Sequence, residues 1–320
     1  MEELIREFLL EHRWVDTDPG ISFLAAGEYN QNYLVRDGAR RLVFRINRGS
    51  QLGLKDQISY EYRVLRCVEP SGVTPRPLRL HDAPAPFGGG VMLMEFLPGG
   101  PLDYARDLEK AAGIFARIHA LPTCPGLLVQ EDPVAAIAAE SLGLVNRYPD
   151  HALTRQRALL LDYHERITRL GAETRELFAG DRLCVVNTEV NSGNFLIGPD
   201  SAFLVDWEKA VVSSRHQDLG HFLAPTTTLW RTETVITPED RMVFLKAYRS
   251  GLDQAPPLDT LDRLCAVMEM VIILRGLSWC FMAHHEYEQA SKPLTDAVTR
   301  EKINRYMREM DAIIPKREHC

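Results

Sequence analysis

The chain has 320 residues, 45% of them hydrophobic, and a formal net charge of −7. That length is enough for one large domain or two lobes. The acidic balance argues against nucleic acid or an anionic membrane as the default partner, and no run of about 18 apolar residues offers a membrane span.

In chain order, residues 1–16 (MEELIREFLLEHRWVD) spell an acidic amphipathic helix, without the basic lead and continuous apolar core of a signal peptide. A short apolar run, Ile21 to Leu24, is broken by Ala25-Ala26-Gly27-Glu28-Tyr29-Asn30. Two β-rich runs follow, Tyr33 to Arg36 and Leu42 to Ile46, around Asp37-Gly38, a strong hairpin signal. Three antiparallel strands are expected. By alternation Arg45 shares a face with Val43, while Phe44 and Ile46 point to the other. The segment Asp56 to Cys67 reads as a helix that carries Glu61 just before the apolar positions Val64, Leu65 and Val68.

Pro70 to Gly90 reads as loops around a short strand at Leu78 to Leu80, and Gly90 to Phe96 as an apolar strand stopped by Pro98-Gly99. After Gly100 the composition turns helical. Asp107 to Ala120 carries apolar residues at helical spacing and ends with His119, which reads as structural. Further helices are expected at Val134 to Leu144, with Pro133 in the first turn, and over much of Ala152 to Phe178.

The stretch CVVNTEVNSGNFLIGPDSAFLVDWE, Cys184 to Glu208, is the centre of the reading. A strand (Leu183 to Val186) leads into a polar loop (Asn187 to Asn194). Two short apolar runs then follow, joined by Gly-Pro-Asp and ending at Asp206. Such a hairpin gathers Glu189, Asn194 and Asp206 into a hard-oxygen site suited to Mg²⁺. Beyond it, Ser213-Ser214-Arg215-His216-Gln217-Asp218-Leu219-Gly220-His221-Phe222-Leu223 resembles the D-P-x-x-D-L-A-x-F-L stretch of aminoglycoside phosphotransferase-like proteins, and the resemblance implies that Asp218 opens a helix and bonds loop amides. Helices are expected at Pro238 to Gly251, Leu258 to His284 and Ser291 to Ile314. Leu261 to Phe281 is apolar over most of its circumference and therefore central. On it, Glu269, Arg275 and Trp279 either pair internally or face a cleft, with internal pairing the expectation. The six cysteines (Cys67, Cys124, Cys184, Cys265, Cys280 and Cys320) are scattered with no C-x-x-C pair. They read as mostly buried small hydrophobes in a reducing cytoplasm, not as a disulfide frame or a zinc site.

Asn187-Thr188-Glu189-Val190-Asn191-Ser192-Gly193-Asn194, followed by Val205-Asp206-Trp207-Glu208, resembles the catalytic loop and metal segment of the protein-kinase-like fold. The nearest likeness is to the aminoglycoside phosphotransferase and choline kinase family, whose loop has the form H-G-D-x-x-x-x-N. Gly27, Asn30, Tyr33 and Val35 match its G-x-x-N-x-x-Y/F-x-V pattern, and Glu61, Val64 and Leu65 its E-x-x-V-L frame. Two residues depart from the pattern: Asn187 replaces the usual His, and Glu189, one methylene longer, replaces the usual Asp.

The resemblance implies an α+β, bilobal fold, with a β-rich nucleotide-binding lobe at 1–97 and a helical lobe at 98–320. It implies that Asn194 and Asp206 hold Mg²⁺ and that Glu189 takes the catalytic-base position. Arg45, held by Glu61, would contact the α/β-phosphates of ATP or GTP beneath the turn at Gly27 and Asn30. Glu95 and Leu97 would offer main-chain groups to the base. The acceptor would be a small-molecule hydroxyl bound among the helices of 131–179, because the stretch between Asp206 and Asp218 is too short for a peptide platform. A cytoplasmic location is the expectation from the scattered cysteines. The alternative is a pseudokinase that binds nucleotide or metabolite without transfer; nucleotidyl transfer is a third possibility.

Overall fold

A computed structural model of the chain describes residues 1–27, 29–83, 86–289 and 297–316. Glu28, Cys320 and the start of the expected Ser291–Ile314 helix lie outside the described residues.

Helix α1 (Glu2–Glu11) precedes strands β1 (Gly20–Ala26), β2 (Asn30–Asp37) and β3 (Arg40–Asn47), followed by α2 (Gln57–Val68), β4 (Pro77–His81) and β5 (Val91–Glu95). The expected three strands belong to a larger antiparallel sheet of five, in the order β1-β2-β3-β5-β4. The Asp37-Gly38 turn forms as its sequence dictates, with Gly38 at φ +57° and Asp37 opposite Arg40. Asp37 does more than turn the chain. Only 3% exposed, it accepts hydrogen bonds from the Asp16 and Thr17 amides and from the Thr17 hydroxyl, fastening the segment before β1.

Strand alternation sorts the two faces of β3. Phe44 and Ile46 pack with Ile5, Phe8 and Leu9 of α1. Val43 packs on the other face with Ile58, Val64 and Leu65 of α2, so Arg45 necessarily faces the same helix.

The rest of the chain is mainly helical: α3 (Leu108–His119), α4 (Pro133–Asn146), α5 (Thr154–Ala179), α6 (His216–Leu223), α7 (Pro225–Arg231), α8 (Pro238–Ser250), α9 (Leu258–Glu288), α10 (Ala297–Arg308) and α11 (Met310–Ile313). Between α5 and α6 lie four short strands, β6 (Leu183–Val186), β7 (Phe195–Ile197), β8 (Ala202–Leu204) and β9 (Val211–Ser214). β6 pairs with β9, and β7 with β8 as the expected hairpin. Helix α9 is long and apolar enough to cross a membrane, yet its apolar surface is mostly buried against α4, α5, α6, α7, α8 and α10. It is the central core helix, apolar on nearly every side.

One expectation is overturned. Cys67, at the end of α2, and Cys124, after α3, form a disulfide with Cα atoms 5.9 Å apart. The two are 57 residues apart, so no spacing pattern announces the bond; packing of the small lobe's helix on the large lobe brings them together. Cys184, Cys265 and Cys280 are free and buried as expected.

Candidate active site

Local strain marks the two loops that follow β6 and β8. Thr188 (φ +68°) and Asp206 (φ +65°) are two of three non-glycine residues with positive φ among the described residues. Left-handed backbone is costly for such residues and persists only where its surroundings over-determine it. Here the Asp218 carboxylate, on the first turn of α6, accepts from the Asn187 and Thr188 amides, both at 2.8 Å. Asn187, the residue in place of the usual His, ties the loop to the metal segment. Its Nδ2 donates to the Asp206 carbonyl (2.8 Å) and its Oδ1 accepts from the Glu189 amide (3.0 Å). His119 bonds Tyr248 and Asp218 in the core, consistent with a structural role.

Three carboxylates converge beyond this frame. Oxygen atoms of Glu189, Asp206 and Glu208 all lie within 4.8 Å of one another. Asn194 sits in the short 3₁₀ turn Ser192–Asn194. Its Nδ2 donates to the Glu189 carbonyl (2.6 Å), leaving Oδ1 as its ligand atom, and its own carbonyl accepts from Val205, next to Asp206. Burial, then the charges of Asp206, Glu61 and Glu189, push Glu208 up to about 8. Negative charge is therefore crowded here beyond what Arg45 neutralises, and an oxygen-liganded divalent cation fits this donor set.

Arg45 and Glu61 form a buried ion pair, 5% and 1% exposed. Arg45 also donates to Asn32 (3.0 Å) and lies 3.2 Å from Asp206. These groups line a mostly apolar slot of 340 Å³ together with Met94, Glu95, Phe96 and Leu97. Gly99 (φ +147°) shapes its floor: a Cβ there would sit 2.6 Å from the Leu196 backbone. The Glu95 amide is committed to the Arg76 carbonyl, so its N–H is not free for a base. Gly27 and Asn30 are not among the residues lining the slot. The Gly27 amide closes a turn on the Asn30 carbonyl, and Asn30 Nδ2 bonds Glu208 instead.

A second cavity, 370 Å³, opens on the other side of Asp206, which lines both. Its walls include Glu189, Asn194, Lys209 and His221, with Glu140 of α4, Trp230 and Arg231 of α7, and Arg275 and Trp279 of α9. Lys209 Nζ lies 3.4 Å from Glu189. Of the three polar residues singled out on α9, Glu269 pairs internally with Arg241 as expected, whereas Arg275 and Trp279 face this cavity.

Residues 20–258 match the family APH, the phosphotransferase enzyme family. The chain belongs to that family. Among solved structures, it is similar to a choline kinase from Cryptosporidium parvum Iowa II (14% identity, 98% of this chain and 96% of that one, TM-score 0.65). An ethanolamine kinase from Plasmodium vivax gives 12% identity over 91% and 81% of the two chains, TM-score 0.65. A spectinomycin phosphotransferase, solved with ADP and spectinomycin, gives 12% over 97% and 94%, TM-score 0.60. At these identities the likeness establishes the protein-kinase-like fold. A search of curated proteins finds no match.

Several residues of this phosphotransferase-family site escape a reading of the sequence. Glu208 joins the carboxylate cluster, and an acid two places after Asp206 was a visible signal. Gln51 Nε2 reaches Glu208 at 3.2 Å, and Gln57 Nε2 its carbonyl at 2.7 Å, contacts across some 150 residues that no local pattern encodes. Arg231 ends α7, a helix announced only by Pro225 in its first turn.

Proposed function

We propose that the protein transfers the γ-phosphate of ATP or GTP to a hydroxyl of a small molecule, with Mg²⁺. One observation carries this reading: Asp206 forms the wall common to an apolar slot and a second cavity of mixed lining, and Glu189 lines that cavity beside it. The nucleotide base would lie against Met94 and Leu97, between a small lobe at 1–97 and a large lobe at 98–320. Arg45, braced by Glu61, would contact the α/β-phosphates.

Asp206 and Asn194 would hold the metal, with Glu208 close by; bound there, Mg²⁺ supplies neutralisation of phosphate charge. Glu189 would orient the acceptor hydroxyl and take its proton. As the acceptor oxygen bonds to the γ-phosphorus, the bond to the β-bridging oxygen breaks and the nucleoside diphosphate leaves.

A binding-only pseudokinase reading draws on the Lys209–Glu189 pair, which occupies the base position with a salt bridge. Nucleoside-diphosphate release, measured over a panel of hydroxyl compounds, separates the two. Transfer predicts that Glu189→Gln reduces turnover by about 10²-fold or more, and that Glu189→Asp retains part of it. Wild-type-like turnover in Glu189→Gln would remove Glu189 from the chemistry.

A further inference from the structure

The acceptor cavity has an uneven charge arrangement. Its charged walls are Glu140, Glu189 and Asp206 against Lys209, Arg231 and Arg275. Two of the three acids are already committed. Asp206 lies 3.2 Å from Arg45 and within the carboxylate cluster, and Glu189 is 3.4 Å from Lys209. Glu140, the third, is 46% exposed and forms a loose, solvent-screened ion pair with Arg275 at 3.6 Å.

The bases keep capacity. Arg275, 12% exposed, spends Nη1 on the Thr188 carbonyl (3.3 Å), beside Glu189, and a guanidinium has five donors. Arg231 has no carboxylate partner among the described residues, and its Nε lies beside Gly193, one place from Asn194. The two guanidinium groups thus flank the loop that carries Glu189 and Asn194. His221, on the same wall, adds no negative charge and no positive one: burial, then Arg275 and Lys209, hold it well below its ordinary value and therefore neutral.

Resting on the phosphotransfer reading above, we infer that the acceptor is an anionic alcohol: its hydroxyl meets Glu189, and its carboxylate or phosphate group is bound by Arg275 and Arg231. Guanidinium groups recognise both anions through paired N–H donors. The body of the molecule lies against Trp230 and Trp279, whose rings meet edge to face at 5.7 Å. A polyamine sugar or an amino alcohol would instead bring positive charge against Lys209, Arg231 and Arg275.

Two size-matched sets test this: glycerate, glycerol 3-phosphate, glycerol and 3-amino-1,2-propanediol; and 4-(hydroxymethyl)benzoate, 1,4-benzenedimethanol and 4-(aminomethyl)benzyl alcohol. Binding is titrated calorimetrically to the full chain with Mg²⁺ and a non-hydrolysable ATP analogue, and nucleoside-diphosphate release is followed separately with ATP. In at least one set the anionic member binds about tenfold or more tightly than the neutral one, and the ammonium member binds weakest. Arg231→Gln, at an exposed position where folding is not at stake, weakens the anionic member about tenfold and leaves the neutral one unchanged. Arg275→Lys, which keeps the charge but not the fork, weakens it less.

Tightest binding of an ammonium member, equal binding of all members, no binding of any anionic member, or indifference to Arg231→Gln overturns the inference. Within the glycerol set, the carboxylate and phosphate members show which anion is preferred. Anion binding without diphosphate release would refute transfer while leaving the subsite standing; release with ammonium compounds alone would refute the subsite while leaving transfer standing.

Discussion

Removing the Glu61 carboxylate strands a buried cation, and the consequence can be worked from the geometry. Glu61 is 1% exposed and bonds Arg45, itself 5% exposed. Loss of one partner of a buried pair typically costs about 3–5 kcal/mol, because the survivor stays desolvated without its counter-charge. Arg45 would keep Asn32 at 3.0 Å and Asp206 at 3.2 Å, which places Glu61→Leu at the lower end, about 3 kcal/mol. Replacing both partners, Arg45→Met with Glu61→Leu, takes the charge away and returns stability to within about 1–2 kcal/mol of wild type. Nucleotide affinity behaves differently. With no cation for the phosphates, the double variant binds Mg-ADP about tenfold or more weakly and does not recover. Urea unfolding and ADP titration on wild type, both single variants and the double variant complete the cycle. A Glu61→Leu cost below about 1 kcal/mol, or a double variant no more stable than Glu61→Leu, would refute the desolvated-pair reasoning.

Two further outcomes concern the scaffold. Burial works against the charge of Asp37, but bonds from the Thr17 hydroxyl, the Asp16 amide and Arg40 overcome it and hold the carboxyl at about 2, below its ordinary 3.8. A depressed folded value gives stability that is full above about pH 4 and is lost as pH falls through about 2. The stability gap between wild type and Asp37→Asn therefore closes over that window; a gap constant from pH 6 to pH 2 would contradict the assignment. The Cys67–Cys124 bond closes a separation of 57 residues, worth about 2–4 kcal/mol by loop closure. Reductant lowers the urea midpoint of wild type but not of Cys67→Ser; indifference in both would show that the bond contributes nothing.

What the sequence reveals and what it conceals divides by locality. The Glu189–Asp206 hairpin, the Asp37-Gly38 turn and the face of Arg45 are legible because period-two alternation and turn chemistry act over a few residues. Pairing of β3 with β5, and so the five-stranded sheet, is non-local. Helix α9 is apolar all round, so its sequence does not say which side meets the cavity, and Arg275 and Trp279 are found there only once α4 and α7 have packed. Asn30 fits the family pattern by position, but its bond to Glu208, 178 residues away, has no local signal. The raised carboxyl of Glu208 is likewise a product of burial between the lobes.

The decisive measurement is a structure of the full chain with Mg²⁺ and a non-hydrolysable ATP analogue. The expected result has the base in the slot against Met94 and Leu97, and a metal about 2.0–2.1 Å from oxygens of Asp206 and Asn194 with phosphate completing its shell. A nucleotide bound elsewhere, or a metal with no ligand from Asp206, would contradict it.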